Sequence, residues 1–143
     1  MFVEDDEQIV IVIKYKKVGK HYVVYNQDVF DSIGLSEEEK GKFETLKIKA
    51  HQLTWGLYND LQESAMVADN LGNRKWNYKI YKENKLRKII ARWDAKTKNE
   101  AGEVVNAPLT GHIISKMSPD IAEAILNAYD KATLIDDAEE KKS

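Results

Sequence analysis

The chain changes its hydrophobic period once, close to residue 53. Before that point the apolar residues fall in strand-like stretches. Ile9 to Tyr15 is dominated by β-branched and aromatic side chains, which favour the pleated conformation. Gly19 punctuates the chain, and His21-Tyr22-Val23-Val24-Tyr25 reads as a second strand. Lys16 to Lys20 has the length of a hairpin connection, so the two strands are expected to pair antiparallel. Asn26 and Asp28 mark the exit from the second strand. Ser36 with Glu39 has the spacing of a capping box on a short helical turn. Phe43 to Ala50 alternates, with Leu46, Ile48 and Ala50 on one face and Thr45, Lys47 and Lys49 on the other.

From Thr54 to Ala132 the period is helical. Thr54 is a suitable N-cap, because its hydroxyl accepts an orphan backbone N–H. Leu57, Leu61, Ala65 and Ala68 recur at helical spacing and predict a helix over 54–69, closed by Gly72. Leu86, Ile89, Ile90 and Trp93 predict a second helix over 81–93, with Lys85, Arg87, Lys88 and Arg92 on its other side. Asn99-Glu100-Ala101-Gly102 reads as a loop tip. Thr110 is placed to cap a short helix through Met117. Ser118-Pro119-Asp120 then opens a final helix, whose buried stripe is Ile121, Ile125, Tyr129 and Ala132. The expected architecture is α+β: a small N-terminal antiparallel sheet packed with a C-terminal bundle of three to four helices. A single domain is expected over 1–135, β-rich over 1–50 and helical over 51–135, followed by a flexible acidic tail over 136–143.

Composition narrows the chemistry. A length of 143 residues suits one domain that buries about two-thirds of its unfolded surface. The chain has no cysteine. That fits a reducing compartment and excludes Cys-ligated zinc, iron–sulfur clusters and thiol nucleophiles. The start is acidic, Glu4-Asp5-Asp6-Glu7, where a secretory leader is positive. The longest apolar run, Ile9 to Ile13, falls far short of the roughly 20 residues that span a bilayer. A soluble, cytoplasmic protein is expected.

Net charge is -2, so the chain as a whole is not steered to nucleic acid. The charges are nevertheless segregated. Residues 74, 75, 79, 82, 85, 87, 88, 92, 96 and 98 are all Lys or Arg, against Glu83 and Asp94 in the same stretch. Around them stand Trp76, Tyr78 and Tyr81. Cations that hold phosphates beside rings that stack on bases would suit a nucleic-acid module built on the basic segment 72–98. The same mixture suits a protein interface, where Tyr and Trp supply rigid contact area.

Catalytic patterns are missing. The three histidines, His21, His51 and His112, stand in no short metal-ligand motif, so neither a metal nor a cofactor is expected. Ser118 is accounted for as a cap, and no other serine has a nucleophile-elbow context. The acidic residues lie mostly in polar runs, and no phosphate-binding glycine fingerprint is present. No catalytic residue is assigned.

Three blocks carry a resemblance. They are Leu53-Thr54-Trp55-Gly56-Leu57-Tyr58-Asn59-Asp60-Leu61, then Lys85-Leu86-Arg87-Lys88-Ile89-Ile90-Ala91-Arg92-Trp93-Asp94, then Ser118-Pro119-Asp120-Ile121-Ala122-Glu123-Ala124-Ile125-Leu126-Asn127-Ala128-Tyr129. In order and spacing they resemble the tail assembly chaperones of tailed bacteriophages and related small tail proteins, over roughly half of the chain. The resemblance implies a non-enzymatic protein of the host cytoplasm that covers tape-measure or tail-tube proteins during assembly. A related reading is a permanent virion subunit of the tail, neck or baseplate. Separately, the basic middle and the acidic ends of the chain could attract one another between copies, as in a homo-oligomer. Trp55, Tyr58, Trp76, Tyr78, Tyr81, Lys82 and Arg92 are the expected partner-binding residues. Trp55 and Tyr58 sit on adjacent parts of one helix whose core face is already filled, so at least part of this pair is expected at an edge.

Overall fold

Strand β1 (Gln8–Val18) sits inside the sheet because its isoleucines alternate inward. Ile11 and Ile13 are buried. A computed structural model describes Val3 and residues 8–142, with side chains through Thr133. β1 pairs antiparallel with β2 (His21–Asn26) on one side and with β3 (Glu44–His51) on the other. The first strand runs three residues beyond Tyr15, and the turn narrows to Gly19-Lys20, where Gly19 takes the positive φ such a turn requires. β3 alternates as expected, with Leu46, Ile48 and Ala50 buried. Asn26 does more than end β2. Its side chain accepts from the Gln27 N–H and caps α1 (Gln27–Ser32), which buries Phe30. Ser36 caps α2 (Glu37–Lys40) by accepting from the Glu39 N–H.

The region expected to be helical is interrupted by strands. Thr54 caps α3 (Trp55–Ser64), accepting from the Leu57 N–H at 3.1 Å. The helix stops at Ser64 rather than at residue 69. β4 (Met66–Ala68) and β5 (Arg74–Trp76) form a hairpin instead. Turn chemistry decides this. The Asp69 carboxylate accepts from the N–H groups of Leu71 and Asn73, and Gly72 has φ 81°. Gly72 therefore turns a hairpin and does not end a helix. Leu61 and Ala65 are buried as predicted, whereas Leu57 is 40 % exposed and Ala68 faces solvent.

Asn77 caps α4 (Tyr78–Ile89), which starts earlier and ends earlier than the predicted 81–93. Ile90 leaves the helix in an extended conformation and opens β6 (Ile90–Trp93), which adds to the edge of β3. The order of the sheet is β2-β1-β3-β6. The apolar stripe Leu86, Ile89, Ile90 fits this break because the last β-branched residue is buried from the strand side as well. β7 (Lys96–Lys98) and β8 (Val104–Asn106) then pair around the predicted loop tip. Thr110 caps α5 (Gly111–Ser115), which ends two residues short of Met117. α6 (Pro119–Lys142) lies along the inner face of β1 and β2, tied at its start by the Tyr22 N–H to Asp120 at 3.1 Å. The predicted acidic tail begins within α6, and its side chains lie outside the described residues.

The fold is thus a small N-terminal antiparallel sheet packed against a bundle of helices, α3 to α6. One buried cluster joins β1, β3, α4, β6, α5 and α6 through Ile13, Ile48, Ile89, Ile90, Ile114 and Ile125. Among the described residues no helix is long and apolar enough to cross a membrane.

Candidate aromatic binding groove

The groove arises where three helices meet the end of the sheet. α3 contributes Trp55 and Tyr58, α4 contributes Tyr81 and Lys85, and α6 contributes Tyr129, Asp130 and Thr133. They surround an opening of about 370 Å³. Trp55 and Tyr58 stack at 6.2 Å on the solvent side of α3, where Trp55 is 78 % exposed and Tyr58 41 %. Neither ring turns into the core, because Leu61 and Ala65 occupy that side of the helix.

The wall opposite is held by polar contacts on an apolar surround. The Tyr129 hydroxyl donates to the His51 carbonyl at 3.0 Å and accepts from the Leu53 N–H at 3.2 Å. This joins α6 to the last residue of β3. Lys85 is buried to the level of the core, unlike the solvent-facing lysine the helical pattern predicts. Its ammonium donates to Asp130 at 2.5 Å and lies 5.6 Å from the ring centres of both Tyr81 and Tyr129. Burial opposes its charge, but the hydrogen bond and charge of Asp130 outweigh that, and its pKa is raised. Burial also raises the Tyr129 pKa, against the Leu53 N–H and Lys85, which lower it. The groove therefore carries a fixed cation–carboxylate pair among rings.

Tyr81 continues the aromatic surface around α4. Its ring lies 4.9 Å from Trp76, and Trp76 lies 5.4 Å from Tyr78. Tyr78 and Lys82 face a second opening of about 510 Å³ between α4, α5 and α6. Lys82 stands 4.5 Å above the Tyr78 ring and donates to Glu123 at 2.6 Å, a bond that raises its pKa. Of the seven residues expected to bind a partner, the fold brings Trp55, Tyr58, Trp76, Tyr78, Tyr81 and Lys82 into one continuous region. Arg92 is separated from them. It sits on β6, opposite Lys49 of β3, because the helix ends three residues before it.

Pairing takes up several cations of the basic segment. Besides Lys82 and Lys85, Arg74 pairs with Glu63 and Arg87 with Glu83. Trp93, read as part of a helical core stripe, packs against the core from β6 and donates its indole N–H to the Ala107 carbonyl at 2.8 Å. Sequence reasoning missed Lys85, Tyr129 and Asp130 as groove residues. The i, i+4 spacing of Tyr81 and Lys85 was the available signal, since it places a ring under a lysine stem. Among the described residues no group of three or more His, Asp or Glu side chains is arranged to hold a metal ion.

Comparison with protein families, with characterised proteins and with solved structures finds no match to this chain.

Proposed function

We propose that this protein is a non-enzymatic assembly factor of phage tails that binds a tape-measure or tail-tube protein in the aromatic groove. The partner class comes from the resemblance of the three sequence blocks. The binding mode comes from one observation: Trp55 and Tyr58 stay exposed beside an opening walled by Tyr81 and Tyr129. Exposed, rigid rings around a concavity are the side chains that dominate protein interfaces. A partner helix laid across the groove would seat apolar side chains on these rings and meet the Lys85–Asp130 pair at its edge. The host cytoplasm is the compartment of that work.

The test is affinity purification of the full chain from infected cells at moderate salt, with nuclease treatment and mass spectrometry. Recovery of tape-measure or tube protein, lost in a Trp55→Ala/Tyr58→Ala variant, supports the reading. Recovery that vanishes with nuclease moves the basic segment 72–98 and nucleic acid to the front. Detection of the chain in purified particles would make it a permanent tail, neck or baseplate subunit.

A further inference from the structure

The outer face of the four-stranded sheet is the second surface with an unmet requirement. Strand alternation sends Ile11, Ile13, Leu46 and Ile48 to the core and their neighbours outward. Outward on β1 stand Val10, Val12, Lys14 and Lys16. Lys47 and Lys49 stand outward on β3, and Arg92 on β6. Lys49 and Arg92 are direct cross-strand partners, an arrangement in which like charges repel. None of the ion pairs among the described residues includes any of these five cations. One nearby carboxylate, Asp94, is engaged with the Lys47 backbone N–H at 2.8 Å.

Part of the face is already covered. Lys14 and Lys16 lie 5.5 Å and 5.3 Å over the rings of Phe30 and Phe43, beside α1. Lys14 also reaches Thr45 on β3 at 2.6 Å. Toward β3 and β6 the face is open, with Val10 60 % exposed and Lys47, Lys49 and Arg92 facing solvent.

We propose that this open face docks an extended acidic segment of a partner protein, with carboxylates on Lys47, Lys49 and Arg92 and an apolar side chain on Val10. Same-face side chains of an extended peptide repeat every ~6.8 Å, which is also the repeat between Lys47 and Lys49. Successive acidic positions therefore meet successive lysines. Three features favour polypeptide over nucleic acid. The rings of Phe30 and Phe43 on this side pack on each other and lie under the two ammonium groups, and Tyr25 packs on Phe43. Val10 offers an apolar contact that a phosphate backbone does not use. The net charge of -2 does not draw in a long polyanion. This docking is independent of the aromatic groove.

The probe is a labelled peptide with glutamate, glutamate and valine at successive alternate positions and serine between them, so that all three share one face when extended, titrated with the full chain by fluorescence anisotropy at about 50 mM and about 300 mM NaCl. Binding should weaken at the higher salt. Lys49→Glu with Arg92→Glu should weaken it about tenfold, because attraction is replaced by repulsion at two exposed positions. Lys75→Glu with Lys79→Glu makes the same change of net charge elsewhere and should leave affinity within about twofold. Trp55→Ala/Tyr58→Ala should leave it unchanged. Equal loss in the Lys75/Lys79 variant or in the groove variant overturns the assignment. So does failure of the peptide to bind. Tighter binding of a DNA duplex with the same dependence on Lys49 and Arg92 overturns it in favour of a polynucleotide.

Discussion

Lys85 shows how a residue read as solvated becomes structural. Its ammonium lies near two tyrosine rings, and its charge is kept by Asp130. Tyr15 is a second displaced titrating group, its pKa raised to about 12 by burial first and by Glu44 next. Lys85, Tyr129 and Tyr15 all hold protons more tightly folded than unfolded. Stability from these groups is complete below about pH 10 and falls as pH rises through the folded values, where the unfolded chain binds fewer protons. Urea midpoints should thus be level on the neutral side and decline above about pH 10. Tyr15→Phe should flatten part of that decline; an equally steep alkaline limb would remove Tyr15 from the account. Apolar positions were easier to read than this lysine, because the period alone places them. Ile125, fully buried, and Leu86, 4 % exposed, should each cost about 2–5 kcal/mol on truncation to alanine through the cavity left. A change below about 0.5 kcal/mol in a denaturant titration would show that α4 and α6 do not carry the core.

Elements were legible where a cap coincided with a period, and illegible where one stripe served two periods. Thr54, Ser36 and Thr110 each accept from the backbone N–H three residues on. The β3 alternation was legible from its period alone, since three inward residues lie two apart. The stripe Leu86-Ile89-Ile90-Trp93 continues smoothly as a helix on paper. In the fold it is cut at Ile89, because Ile90 and Trp93 also satisfy a strand that pairs with β3. That pairing is a long-range event, so no local signal announces it. The β4–β5 hairpin was hidden in the same way, although Asp69 and Gly72 supplied its turn chemistry. Gly72 has φ 81° and open space around its missing Cβ. Gly72→Ala should therefore cost about 1–2 kcal/mol from backbone strain alone. Retained wild-type stability by differential scanning calorimetry would mean that the turn relaxes.

At the scale of the whole molecule, the single basic segment of the sequence does not survive folding as one surface. Lys82 and Lys85 go to acidic partners on α6, Lys96 bonds Asn106, and Arg92 joins the lysines of β3 on the sheet. Linear proximity suggested one polyanion site; the turn into β6 divides it. The aromatic residues behave oppositely, since Trp55 and Tyr58 lie some twenty residues before Trp76, Tyr78 and Tyr81 yet join one region through the packing of α3 on α4. A stability role and a binding role for this region make different predictions. Trp55 is so exposed that it buries little on folding, and Tyr58 is only partly covered. The Trp55→Ala/Tyr58→Ala variant should lose at most about 1 kcal/mol of folding stability, mainly the stacking of the two rings. Its affinity for a partner helix should nevertheless fall by about tenfold or more, since exposed aromatic anchors concentrate binding energy. Lowering the salt should not restore it, because the lost contacts are apolar rather than charged. A variant that unfolds with the same loss as Ile125→Ala would place these rings in the core and leave the groove without its anchors.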